Sequence, residues 1–213
     1  MITCFNSKSK SFDENHLENC KNSIEKQKYI QSLMPVNVND KCECPKCGAK
    51  NKFSYHAYYQ RNIAFVINEN IENFKVTVVR LICKSCGSSH ALLPNFIVPY
   101  KIMSLHSILN IVQNSTLTSV LAISSRINIS YQMIYVYLSF FLSFFSNTVI
   151  LNNYTNFCVN FDKQYFLEHA SCFSEEKFLL DFWEYYKLVF LMTKFRNISP
   201  PKVYTGCHQM AST

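Results

Sequence analysis

The spacing Cys-x-x-Cys-Gly occurs twice in this chain, at Cys44–Gly48 and at Cys83–Gly87, with 35 residues between the two pairs. A Cys-x-x-Cys turn aims both sulfurs at one centre, and the glycine that follows lets the backbone fold back so that amides face the thiolates. Two such turns at neighbouring strand ends would supply the closed tetrahedral sulfur set that structural Zn²⁺ prefers, so Cys44, Cys47, Cys83 and Cys86 are expected to hold one zinc ion. Four sulfurs leave no open coordination position, which makes the expected metal structural and not catalytic. Two alternatives stand beside this reading: a redox Cys-x-x-Cys, and cysteines buried without a common role. The redox chemistry calls for one pair at a helix N-terminus after a strand, and neither pair has that setting. Cys42 forms only a Cys-x-Cys unit with Cys44 and reads as a spare or packing thiol, with ligation in place of Cys44 as its alternative. His56 and His90 read as histidines outside the metal set.

Ten cysteines could also mean a secreted disulfide scaffold, but the first twenty residues contain no apolar run bounded by a small-residue cleavage site. The thiols are therefore expected to be reduced and the protein cytoplasmic, a setting in which closely spaced cysteine pairs bind metal or do redox chemistry. With 213 residues, of which 48% are hydrophobic, the chain can bury a core and is not a disordered tail.

The formal charge of +7 is unevenly distributed. Residues 1–40 are neutral, residues 41–101 carry nine Lys and Arg against three acids, and residues 102–213 carry seven against six. The basic surplus thus coincides with the cysteine pairs. Four thiolates and one Zn²⁺ would lower that region from +6 to near +4. A compact basic segment points to an anionic partner, nucleic acid first. Lys46, Lys50, Lys52, Arg61, Arg80 and Lys84 are the candidate phosphate contacts, salt-sensitive and indifferent to sequence.

Pattern changes along the chain divide it into residues 1–38, 39–101 and 102–213. The first is polar, with a helix-compatible stretch, FDENHLENCKNSIEKQKYIQSLM, ahead of Pro35. In the second, KFSYHAYYQ, NIAFVI and FKVTVVRLIC are rich in aromatic and β-branched residues and predict a small antiparallel sheet. In the third, SLHSILNIVQN, TLTSVLAISSRI and SYQMIYVYLSFFLSFF place apolar residues at helical intervals. Later, SEEKFLLDFWEYYKLVFLMTKF extends the helical texture, with Ser174 as an N-cap and two glutamates in the first turn. The expected fold class is α+β: a small antiparallel zinc ribbon, then an all-α domain.

Within the helical part, a helix ending near Ile127 and another capped by Ser130 have the phrasing of a helix-turn-helix. Val120, Leu121, Ile129, Ile134 and Leu138 would face the core. Tyr131, Gln132 and Tyr135, with Met133 and Val136, would face a DNA groove, where glutamine can pair with adenine and tyrosine can reach phosphate. A purely structural bundle would look much the same, since Arg126 is the one formal charge between Lys101 and Asp162. Membrane contact through the uncharged run IYVYLSFFLSFFSNTVIL is a third reading, weakened by its Ser, Asn and Thr and by missing basic flanks. Trp183 and its aromatic neighbours read as core or as a partner surface. Asp162, Glu168, Asp181 and Glu184 read as solvated helix carboxylates, with no sign of a common metal, so no enzymatic activity and no small-molecule substrate are expected.

The segments CPKCGAKNKFSYHAYYQRNI and VTVVRLICKSCGSSHALLPNFIVPYKIMSLHSIL resemble an uncharacterised family of Firmicutes proteins with an N-terminal transposase-like zinc ribbon. The resemblance covers residues 42–110. It is carried by the CPxCG turn; by His56, Tyr58, Tyr59 and Arg61; by Arg80, Cys83 and Cys86; by His90 through Pro94; and by Pro99 and Tyr100. It implies zinc, DNA and association with a mobile element. Transposases of this general build place an acidic triad in a long later domain, whereas about 70 residues follow the second helix of the pair here. The expectation is therefore a DNA-binding accessory factor without its own catalytic domain, with DNA and a transposase or other protein as partners. The alternative is an adaptor that uses the ribbon to bind another protein.

Overall fold

The computed structural model describes residues 2–3, 12–36, 42–147, 167–168 and 170–171. Its centre is one long antiparallel hairpin, β2 (Phe53–Ile67) and β3 (Asn70–Cys83). The two strand runs expected at 52–60 and 62–67 are a single strand. Asn68 and Glu69 turn the chain with φ of 47° and 63°, both left-handed, as a two-residue type I′ hairpin requires. Strand β4 (Ser89–Leu93) pairs antiparallel with β3 from Arg80 to Ile82, and the two-residue β1 (Ile2–Thr3) adds parallel to β4. The sheet order is β1-β4-β3-β2, so β2 is an edge strand.

β4 is short, and it leaves the outer edge of β3 below Arg80 without a strand. Helix α2 (Ser23–Ser32) covers that edge with side chains. Gln27 donates to the Lys75 carbonyl at 2.8 Å and accepts from the Lys75 N–H at 3.2 Å, while Gln31 accepts from the Thr77 N–H at 2.8 Å. Four residues of helix rise about 6 Å and two residues of strand about 6.7 Å, so glutamines at i and i+4 match strand positions two apart. The single helical stretch expected before Pro35 is in fact two helices, because α1 (Glu14–Glu18) stops at Asn19 and Asn22 caps α2 by accepting from the Glu25 N–H.

The hairpin separates three apolar clusters. On one face Ile63, Phe65, Phe74, Val76 and Val78 pack with Leu17, Ile30, Leu33 and Met34 of the N-terminal helices and with Phe96 and Ile97. On the other face, at the turn end, Val66 and Ile71 pack against a helical cluster. At the cysteine end of that second face the described residues form a small group, Cys42, Val79, Leu81 and Leu92, with Phe53 against it.

The helical cluster is built by α3 (Leu105–Leu117), α4 (Val120–Ile127) and α5 (Tyr131–Asn147). Ser104 and Ser119 cap α3 and α4, each accepting from an N–H three residues on, and Ser130 does the same for the Met133 N–H. Asn128 ends α4 in the left-handed conformation, φ 51°. Ile108, Leu109, Val112, Ile123, Ile127, Ile134 and Phe141 are buried together, joined by Ala170. Ile129, Val120 and Leu138 pack against them as expected, but Leu121 is 66% exposed: it lies on the outer side of the short helix α4. Polar contacts also bind these helices and the loop before them to the hairpin, among them the Val66 N–H donating to the Ser107 hydroxyl at 2.8 Å. Ala64 donates to the Ile102 carbonyl and accepts from the Ser104 N–H, both at 2.9 Å, and Arg126 pairs with Glu69 of the hairpin turn at 3.5 Å.

The described residues are thus α+β. Among them no helix is long and apolar enough to cross a membrane. Ile134, Tyr137, Phe140 and Phe141, within the uncharged run considered for membrane contact, are buried in the protein core. Ser174, Trp183, Asp162, Asp181 and Glu184 lie outside the described residues, and Glu168 is exposed.

Candidate metal centre

Each Cys-x-x-Cys-Gly unit closes in the same way. Gly48 donates to the Cys44 carbonyl and Gly87 to the Cys83 carbonyl, both at 2.8 Å. The two glycines have φ of 71° and 69°, a region that a side chain would strain, so glycine is required at both places. Cys44 N–H donates to the Ala49 carbonyl and Cys83 N–H to the Ser88 carbonyl, each at 2.9 Å. A further bond, Lys84 N–H to the Lys52 carbonyl at 2.6 Å, ties the second turn to the start of β2. The hairpin pairing of Phe53 with Cys83 brings the two turns to one end of the sheet.

There the sulfurs of Cys44, Cys47, Cys83 and Cys86 all lie within 4.8 Å of one another. Cys44 and Cys86 are 3.7 Å apart, as are Cys47 and Cys83. A disulfide would need about 2.05 Å. A tetrahedral ion about 2.3 Å from each sulfur needs about 3.8 Å between sulfurs, so the spacing fits a metal and not a bond. Cys44 and Cys83 are buried, Cys86 is half-buried and Cys47 faces solvent.

The thiols of this cluster do not ionise alike. The Ser88 hydroxyl and then its N–H bring Cys86 down to about 6. At Cys47 the Ala49 N–H works to lower the thiol, but desolvation and the neighbouring sulfurs of Cys86, Cys44 and Cys83 push it up to about 12. Four negative charges at this separation repel one another, and a divalent cation relieves the repulsion. His90 stands behind the cluster, its Nε2 3.4 Å from the Cys44 sulfur. Desolvation, then the positive amino terminus and Lys46, bring it down to about 4, so the ring is neutral at pH 7 and has one N–H to offer. That is the place of an outer-shell partner that orients a metal ligand. This contact joins residues 46 apart in the chain and was not legible in the sequence. Cys42 lies outside the four-sulfur group, in the small apolar cluster with Val79 and Leu81.

The cationic candidates separate into two kinds. Lys46, Lys52, Arg80 and Lys84 are exposed and have no acidic partner among the described residues, whereas Lys50 pairs with Glu43 at 3.1 Å. Arg61 departs from expectation. Its guanidinium donates to the carbonyls of Val98 and Lys101, at 2.8 and 2.6 Å, and so fastens β2 to the loop that enters α3. A half-buried guanidinium beside the carbonyls of this loop is held there by two charge-assisted hydrogen bonds instead of facing solvent as a phosphate contact. Tyr131, Gln132 and Tyr135 are exposed at the start of α5, away from the cysteine turns in the chain, and the two tyrosine rings meet edge to face at 6.5 Å.

No curated protein and no solved structure matches the chain. Residues 44–128, from the first cysteine of the cluster to the left-handed cap of α4, match the family model described as a domain of unknown function, DUF6431.

Proposed function

We propose that this chain is a DNA-binding protein whose ribbon is held together by one structural Zn²⁺ and whose α4–α5 pair works as a helix-turn-helix. The observation that carries the reading is the division of charge around the hairpin. The three acids between residues 41 and 101 are each paired, Glu43 with Lys50, Glu69 with Arg126 and Glu72 with Lys26, while Lys46, Lys52, Arg80 and Lys84 are left to solvent. An unneutralised basic surface is what phosphate contact needs. The three residues between α4 and α5, one of them in the left-handed region, suit a helix-turn-helix, and Tyr131, Gln132 and Tyr135 on the exposed start of α5 would then read bases. The resemblance to transposase-like ribbons supports the context of a mobile element, with the chain acting as an accessory factor without a catalytic domain of its own and a transposase as a candidate partner.

Anisotropy of the zinc-loaded chain with a labelled random duplex tests this. Affinity should fall with log salt at about −0.9 per neutralised phosphate, and each of Lys52→Ala, Arg80→Ala and Lys84→Ala should flatten the slope by about 1. Absence of duplex binding at low salt would defeat the proposal. Arg61 is not a suitable probe, because its loss disturbs the loop before α3. A second reading, a protein-interaction adaptor, is favoured by Leu121 and Val136, two apolar side chains more than half exposed. Under it, Leu121→Ser would weaken capture of a protein partner and leave DNA untouched.

A further inference from the structure

We infer that the open face of β2 is a second nucleic-acid site, one that stacks the unpaired bases of a single strand. The register of the hairpin sets the geometry. Tyr55 pairs with Leu81 and Tyr58 with Val79, with His56 inserted as a bulge between Tyr55 and Ala57. Residues three apart on a regular strand point to opposite faces. Here the extra residue restores the phase: Leu81 and Val79 are two apart and share a face, so Tyr55 and Tyr58 share it as well. Both are exposed, 56% and 66%. Their separation along the strand corresponds to two partner residues, about 6.7 Å.

The same face continues through Gln60 and Asn62, paired with Thr77 and Lys75. Gln60 donates to the Thr77 hydroxyl at 3.0 Å across it. Among the described residues, helices cover this face near the hairpin turn, at Val66 and Ile71, and the small cysteine-end cluster covers it at Val79 and Leu81. Tyr58, Gln60, Asn62 and Lys75 remain exposed between them. The Tyr55 hydroxyl donates to the Val36 carbonyl at 2.6 Å, which fixes the ring's edge while leaving more than half of its surface to solvent.

Charge selects the occupant. Lys52 and Lys84 lie side by side at one end of this face, joined through their backbones, and Lys75 lies at the other. None of the three has an acidic partner among the described residues. Aromatic rings in a row, flanked by unpaired lysines and by amide side chains, match a flexible strand of phosphates and π-faced bases, which stack on tyrosine whatever their identity. A duplex keeps its base faces hidden and could use the lysines but not the rings. The inference shares the ribbon's cations with the duplex reading and does not depend on α5.

The test uses the full zinc-loaded chain, a labelled oligothymidylate of about ten nucleotides and, in parallel, a random duplex. Tyr58→Ala should weaken oligothymidylate binding roughly 5- to 150-fold. Tyr58→Phe, which keeps the ring, should stay within about twofold of the parent, and neither change should move duplex affinity by more than about twofold. Because Tyr58 is exposed, its replacement leaves the fold intact. Oligothymidylate binding that is absent in the parent, unchanged by Tyr58→Ala, or weakened together with duplex binding would each overturn the inference. Self-association lost in Tyr58→Ala with single-strand binding unchanged would overturn it too, in favour of a protein partner. Duplex binding without single-strand binding sinks this inference and spares the helix-turn-helix reading. Single-strand binding without duplex binding does the reverse.

Discussion

The two ends of the β2–β3 hairpin are stabilised by different means. At the turn end both faces are covered, one by the N-terminal helices and one by α3–α5, so that Phe65, Phe74, Val76 and Ile67 are almost wholly removed from water. At the cysteine end the apolar group shrinks to Cys42, Val79, Leu81 and Leu92 with Phe53 at its side. At about 1.5–3 kcal/mol per buried side chain, four such residues do not offset the ordering of two turns and three strand ends. The four sulfurs make up the difference, provided that a metal joins them. The hairpin is thus a single element with an apolar anchor at one end and four sulfurs placed for a coordinate anchor at the other.

Removing the metal should break that contrast most strongly. Structural zinc sites contribute roughly 10–16 kcal/mol of apparent binding energy. Chelation, or Cys83→Ser, should therefore abolish amide-exchange protection at residues 53–60, while protection persists at Ile108–Val112 and around Phe65. Loss of protection at both ends together would show that the hairpin unfolds as one unit.

Phe141→Ala probes the opposite end. This side chain is fully buried in the helical cluster, and its truncation should cost about 3–5 kcal/mol in denaturant melts, with zinc stoichiometry unchanged.

A third probe is pH. His106, at the start of α3, is packed against Phe12 at 4.4 Å between ring centroids, and its Nδ1 is buried without a hydrogen-bond partner among the described residues. Desolvation lowers it to about 4 from an ordinary 6.5. Between these values the unfolded chain binds a proton that the folded chain refuses, so stability falls as pH drops from about 6.5 to about 4 and is unaffected above. The full loss is roughly 3 kcal/mol. His106→Phe should flatten the pH dependence of stability in that window by about this amount, as measured on the helical cluster by circular dichroism.

The smallest expected effect concerns the covered strand edge. Gln31→Ala leaves the Thr77 N–H without its acceptor and should cost about 1–3 kcal/mol. Gln31→Glu, which keeps an acceptor, should cost less. Equal losses in both would mean that the contact is not what holds α2 to β3.

Much of the candidate metal centre was legible beforehand, for a local reason. A Cys-x-x-Cys-Gly turn is closed by its own backbone, Gly48 to Cys44 and Gly87 to Cys83, so the spacing alone indicates where the sulfurs point. The three helices between residues 105 and 147 were legible for a similar reason, since periodicity and serine caps act within one turn of chain. Less visible was the hairpin turn at Asn68–Glu69, which lacks the glycine that usually marks left-handed turn positions.

Sequence by itself determined the two Cys-x-x-Cys-Gly turns, the basic middle segment and the helical texture that follows, because each depends on neighbours a few residues apart, whereas the hairpin register brought the two turns together. Only the tertiary structure decided that Arg61 would bind two carbonyls some forty residues away, that Gln27 and Gln31 would cover a strand edge, and that a bulge at His56 would turn Tyr55 and Tyr58 to one face. Those outcomes depend on which distant segment arrives beside a side chain, and on a one-residue shift in strand phase that reverses every side chain after it.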